Sequence, residues 1–391
     1  MTGRPADVVE RSVTLCPGEA VDSLRERMRV AEVDAYLSLD PDNQTYLTGF
    51  RAQIYSRPLI LMVTATNSVL IVPELEEQHA RPLAQVDEVL VYCERPGGSA
   101  PTSHMPLLES TLDRLPGGAR VAIDAQRLAF AYAEAVRHGG RETVAFDEVL
   151  GLMRSVKRAD ELAAMRIAGE LSQAGLGASI DAAAVGVSEL EIDAAGNAVI
   201  FRRASELGAD AVVDLLVLSP SGAMRSTLPH VYSTPRSLTA GDVVIHSRQV
   251  AVEGYRAELE RTLIVGEPSP EQERAFAVMY GAQQAAMDAV RPGVEMCEVD
   301  AAARAIIADA GYGPNAIHRS GHGIGIGVHE QPFLRFDNHE ALAPGMVVTI
   351  EPGFYVPGLG GFRHSDTLAV TDAGSEMLTE YPRSLQALIV A

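Results

Sequence analysis

Apolar residues return every three to four positions along EAVDSLRERMRVAEV (19–33), the spacing of an amphipathic helix. DAYLSL (34–39) then reads as a strand, and PLILMVTATNSVLIVP (58–73) as two apolar strands joined at Thr66-Asn67. DEVLVYC (87–93) and RVAIDA (120–125) repeat the strand pattern, with helices predicted over HMPLLESTLDRL (104–115) and AFAYAEAVRHG (129–139). Alternation of this kind predicts an α/β layer domain.

Beyond it the pattern changes. GLMRSVKRADELAAMRIAGELSQAGLGASIDAAA (151–184) sets Leu162, Met165, Ile167, Leu171 and Leu176 at mostly helical spacing and predicts a long helix opening a second domain. One programme then runs twice. Helices near 158–184 and 188–207 precede the strand patterns VVDLLVLS, DVVIHSRQVAVEGY and ELERTLIVG. Helices near 269–290 and 297–310 precede HGIGIGVHE, MVVTIEPGFYV and GFRHSDTLAVT. The repeat predicts two half-domains facing each other across a sheet, with a site between them, and domains at 1–153 and 154–391.

Length agrees, since 391 residues exceed one comfortable core. The formal charge of −20, with no offsetting cluster of Lys and Arg, argues against nucleic acid or an anionic membrane as partner. Cys16, Cys93 and Cys297 lie far apart, which fits a reducing compartment and no disulfide scaffold. Charges interrupt every apolar run of the first twenty residues, and no window reaches the length of a membrane span. The expected location is the cytoplasm.

Candidate chemistry concentrates in GHGIGIGVHE (321–330), GMVVTIEPG (345–353) and GGFRHSDTLAVT (360–371). His322 and His329 sit on a glycine-rich run where a ligand can approach the backbone. Glu351 ends an apolar strand pattern, a costly place for a carboxylate unless a cation or hydrogen-bond donor meets it.

These motifs, with DPDNQTYLTGF (40–50) and MRSVKRADELAAMRIA (153–168), resemble the creatinase and Xaa-Pro aminopeptidase superfamily along the whole chain. The resemblance implies a creatinase-like α/β N-terminal domain and a pita-bread α+β catalytic domain with pseudo-twofold halves. Its metallopeptidase members hold two divalent ions with Asp, Asp, His, Glu and Glu. Those five positions fall here on Ser247, Glu258, His322, Glu351 and Ser365, so two carboxylates are replaced by hydroxyls. Neutral hydroxyls are poor substitutes around hard dications. The expectation is therefore a site without metal or other cofactor, although His246 and His364 each adjoin a lost ligand.

The metal-independent creatinase-like branch is then the closer resemblance. ELERTL (258–263) matches its ALERTL and places Glu260 at the substrate-binding glutamate, while LPHVYSTPRSLTAGD (228–242) places His230 at the catalytic histidine. TGFRAQIYSRPLILMVT (48–64) resembles the segment that reaches a partner subunit's active site, with Tyr55 lining the pocket and Arg57 gripping a substrate carboxylate. The implied roles are His230 as base then acid, and Glu260 and Glu351 as catalytic cation clamps. His322, His329, Glu258 and Arg335 complete the substrate-binding set. The expected activity is hydrolysis of a non-peptide C–N bond in a small zwitterionic guanidino or amidino compound, creatine- or ectoine-like, by a homodimer. An Xaa-Pro dipeptidase-like metallopeptidase with a remodelled site ranks second, and a non-catalytic pita-bread binding module third.

Overall fold

The computed structural model describes residues 13–53, 56–208 and 211–391. They divide into two units, one spanning Leu15–Arg154 and the other built on Ser155–Ala391. In the first, helices α1 (Gly18–Val30), α2 (Pro41–Thr48), α3 (Glu77–Leu83), α4 (Met105–Leu112), α5 (Phe130–His138) and α6 (Asp147–Ser155) intersperse six strands. The strands are β1 (Ala35–Ser38), β2 (Ile60–Thr64), β3 (Ser68–Pro73), β4 (Glu88–Tyr92), β5 (Arg120–Ile123) and β6 (Glu142–Ala145), ordered β4-β3-β2-β1-β5-β6 in one sheet. Local chemistry fixes the ends of these elements. Asp40 accepts from the Asp42 and Asn43 amides to cap α2, Pro41 starts its first turn, and Gly49 ends it at φ 69°. The β2–β3 turn falls where Thr66-Asn67 was expected, closed by the Asn67 amide donating to Thr64 Oγ1 at 3.0 Å. Leu37, Ile60, Ile71 and Val121 meet in the core beneath.

The second unit repeats a helix pair followed by strands, in agreement with the sequence pattern. Helices α7 (Ala159–Ala182) and α8 (Glu189–Ala204) precede β7 (Val213–Leu218), the short α9 (Gly222–Arg225), β8 (Val243–Val252) and β9 (Tyr255–Val265). Helices α10 (Pro270–Ala289) and α11 (Met296–Asp309) precede β10 (Gly321–Gly323), β11 (Glu330–Leu334), β12 (Val347–Ile350), β13 (Gly353–Val356) and β14 (Gly360–Arg363). Strands β15 (Asp366–Thr371), β16 (Gly374–Met377) and β17 (Ile389–Val390) complete the chain. They assemble as sheets β17-β9-β8-β7 and β11-β10-β12-β15-β16, with β13-β14 as a separate ribbon. Glu253 (φ 50°) and Gly254 (φ 87°) turn β8 into β9, the two positive φ values a tight type I′ hairpin requires. That turn fixes a register in which Ser247 faces Glu260 and Gln249 faces Glu258.

Two expectations are corrected. No continuous helix crosses the seam. α6 stops at Ser155, Val156 bridges to Met346, and the Lys157 amide donates to Gly345 O at 2.8 Å. The reason is a buried ammonium: Lys157 Nζ lies 2.8 Å from Glu330 Oε1, a partner it would not meet on a straight helix. Nor is HGIGIGVHE a strand. β10 ends at Gly323, and 325–329 form a run of bends before β11. The backbone there is so close to β11 that a Cβ on Gly323 would sit 2.1 Å from Gln331 O. Among the described residues no helix is long and apolar enough to cross a membrane.

Candidate functional site

Strand alternation decides which residues of β8 and β9 face the cleft. Ser247, Gln249 and Glu258 line a cavity of about 480 Å3 together with Glu351 and Arg363 from the second half. Glu260 sits directly behind, fully buried. His246 faces the other way, with Nδ1 2.7 Å from Ser219 Oγ and Nε2 accepting from Arg248 Nε at 3.0 Å. His364 is likewise occupied elsewhere: Nδ1 accepts from the Thr262 amide at 3.1 Å and Nε2 lies 3.2 Å from Arg383 O. Neither histidine reaches the place of a lost ligand.

The cleft instead gathers three donors. Ligand atoms of Glu258, His322 and Glu351, all buried, lie within 4.8 Å of one another. His322 Nδ1 is 2.9 Å from the Gly323 carbonyl, which can only accept, so this nitrogen carries the proton. The lone pair therefore sits on Nε2, 3.3 Å from Glu351 Oε1, and this buried atom has no hydrogen-bond partner. A proton-fixed imidazole with an unused nitrogen aimed at two carboxylates is the arrangement of a metal ligand.

Arg363 is the principal group that sequence reasoning missed. Its Nε and Nη2 donate to the two oxygens of Glu260, both at 2.6 Å. Nη1 donates to Tyr355 Oη at 3.0 Å, and that hydroxyl reaches His318 Nε2 at 2.9 Å. Glu260, expected to clamp a substrate cation, thus has a guanidinium from its own chain across both oxygens. Arg261 and Arg256 are committed to Asp366 and Asp214 respectively. Arg363 does stand in FRHSD, but nothing local points 103 residues back to Glu260.

The electrostatics follow from this packing. Burial raises the Glu351 carboxyl well above its ordinary value, reinforced by the negative charge of Glu258. Burial also raises Glu260, against the pull of Arg363. For Glu258 burial acts in the same direction, but His322, the Ser365 hydroxyl and the Gln249 amide outweigh it and the carboxyl falls below its ordinary value. Burial lowers His329 to about 4, helped by His322, whose ring centroid is 3.9 Å away.

The remaining expected residues divide between the two units. His230, His329 and Arg335 line the cavity, His230 being exposed with its ring 6.2 Å from that of His329. Arg335 pairs with Asp337, and Arg319 lies on the Phe333 ring at 4.2 Å. Arg57 belongs to the first unit and pairs with Glu94 at 2.6 Å. Tyr55 lies outside the described residues.

A two-ion centre does not fit these residues. Ser365 donates its hydroxyl to Glu258 at 2.6 Å, and Ser247 hydrogen-bonds to Glu260, so both hydroxyls are engaged where extra carboxylates would stand. One divalent ion does fit. Glu258, His322 and Glu351 offer two carboxylates and an imidazole, a mixed donor set that suits zinc, manganese or cobalt.

Residues 163–372 match the metallopeptidase family M24, and residues 21–156 match the creatinase/prolidase N-terminal domain. A putative dipeptidase of Bacillus subtilis is 31% identical over 348 residues, 88% of this chain and 93% of that protein. The Xaa-Pro dipeptidase of Pyrococcus horikoshii is 29% identical over 372 residues, 94% of this chain and 98% of that protein. The crystal structure of the prolidase from Pyrococcus horikoshii superposes with a TM-score of 0.81 at 29% identity, covering 94% of this chain and 99% of that one. These similarities overturn the expectation of a creatinase-like amidinohydrolase, because the relatives are dipeptidases and prolidases. They also give no support to metal independence. The fold is an N-terminal creatinase-like α/β domain followed by a pita-bread catalytic domain, and the chain belongs to the metallopeptidase family M24.

Proposed function

We propose that this protein is a hydrolase of Xaa-Pro dipeptides that works with one divalent ion held by Glu258, His322 and Glu351. The observation that carries the reading is the buried, unpartnered Nε2 of His322 beside two carboxylates. When bound, such an ion supplies Lewis acidity at the peptide carbonyl. The chain's own groups supply the rest. His230, exposed at the cavity wall, is placed to deliver a proton to the departing proline nitrogen. Arg319, stacked on Phe333 at the cavity wall, offers a guanidinium to a terminal carboxylate. A cavity of about 480 Å3 accommodates a small substrate of this size. The homodimer implied by the resemblance belongs to the same proposal.

Metal content tests it directly. Protein purified without a metal-affinity column is expected to hold one ion in the cleft of each chain, and removing it with a chelator should abolish Xaa-Pro hydrolysis until the ion is restored. His322→Ala should lose both the ion and the activity. Undiminished turnover in metal-free protein would overturn the reading, as would two tightly held ions within the cleft itself.

A further inference from the structure

Away from the cleft, Glu295 and Cys297 at the start of α11 meet His339 from the segment joining β11 to β12. Cys297 Sγ lies 3.4 Å from Glu295 Oε2 and 3.5 Å from His339 Nδ1, and His339 Nδ1 lies 2.9 Å from the same Glu295 oxygen. A tetrahedral zinc-sized ion with bonds of ~2.0–2.3 Å needs donors ~3.3–3.7 Å apart. Two of the three edges already have that length. The third opens by roughly half an ångström when an ion replaces the proton shared by His339 and Glu295.

The three side chains are pre-positioned by backbone rather than by chance contact. The Cys297 amide donates to Asn338 O at 2.8 Å, the Met296 amide donates to Glu340 O at 3.0 Å, and Glu295 bridges to Ala341. Cys297 is free, and the Glu295 and His339 side chains are 46% and 75% exposed, so an ion can enter from solvent. A thiolate, an imidazole and a carboxylate form the donor set of an open zinc site, with water as the fourth ligand.

We propose that Glu295, Cys297 and His339 bind a thiophilic divalent cation, zinc by preference, as a site separate from the cleft. Binding forms sulfur–metal and nitrogen–metal bonds; the thiol proton leaves to solvent and the proton on His339 Nδ1 passes by way of solvent to Nε2, with no change of oxidation state. The ion clips the segment carrying Arg335 and Phe336, both on the cavity wall, to the beginning of α11. It therefore couples metal supply to the order of a substrate-facing segment.

The test uses full-length, metal-free protein titrated with Co2+ and Zn2+. Cobalt is expected to produce a thiolate-to-metal charge-transfer band that Zn2+ displaces. Cys297→Ser should abolish the band, and His339→Ala should weaken zinc binding there ~10-fold or more. Zinc should also slow amide exchange across 335–341. Glu351→Gln, which disables the cleft site, should leave the band intact, so failure of the single-ion reading and failure of this one remain distinguishable. Absence of the band, or its persistence in Cys297→Ser, would overturn the proposal.

Discussion

Arg363 places the Nε–Nη2 edge of its guanidinium across both oxygens of the fully buried Glu260, so its loss would strand a buried carboxylate. Arg363→Met is expected to cost about 3–5 kcal/mol of stability, measured by urea unfolding, whereas Arg363→Met combined with Glu260→Leu should recover most of it. A second single-residue effect lies in the other unit. Burial raises Asp124 to about 6, against hydrogen bonds from Ser38, Tyr36 and Asn43. Its ordinary value is 3.8, so between those two pH values the folded chain keeps a proton that the unfolded chain has released. Stability contributed here is complete below the lower value and is lost as pH rises through the upper one. The expected loss is roughly 3 kcal/mol over the window. Asp124→Asn should flatten this dependence when unfolding is followed from pH 4 to 6.5. A native slope rising over that range and unaffected by the substitution would contradict the assignment.

At the level of elements, Gly323 carries the clearest consequence. A methyl group there meets the Gln331 carbonyl of β11, so Gly323→Ala must push β10 and β11 apart and carry His322 with them. It is expected to destabilise by about 1–3 kcal/mol and to weaken metal binding in the cleft, read by calorimetric titration. Much of this architecture was legible beforehand. Alternation along IHSRQ and ELERTL places Ser247 and Glu258 on one face and His246 on the other, because a strand reverses its side chains at every residue. Helix limits were close as well, since Ser188 with Glu191 and Ser269 with Gln272 form capping boxes that stop the helices from extending. What escaped was long-range pairing. Lys157 breaks the seam helix for a glutamate 173 positions away, and Arg363 answers a charge on a strand from the opposite half. Counting hydroxyls at Ser247 and Ser365 led to the expectation of no ion at all, whereas the unpartnered nitrogen of His322, on which the one-ion proposal rests, is a property of three dimensions.

For the whole molecule, the repeated helix-pair-and-strands plan explains why the site draws Glu258 from one half and His322, Glu351 and Arg363 from the other. The proposed homodimer is checked by sedimentation, which should give twice the 41.7 kDa of the chain at working concentrations. The guanidinium within the cleft has one more consequence. A dissolved ion can be dialysed away, but Arg363 is tethered by peptide bonds and travels with the fold. Stripping the protein thus takes only part of the positive complement of its acidic interior, and the rest stays in place as ballast. Inactivation by chelators should accordingly be a switch thrown in either direction, with the emptied protein keeping its melting cooperativity and regaining full turnover once an ion is returned.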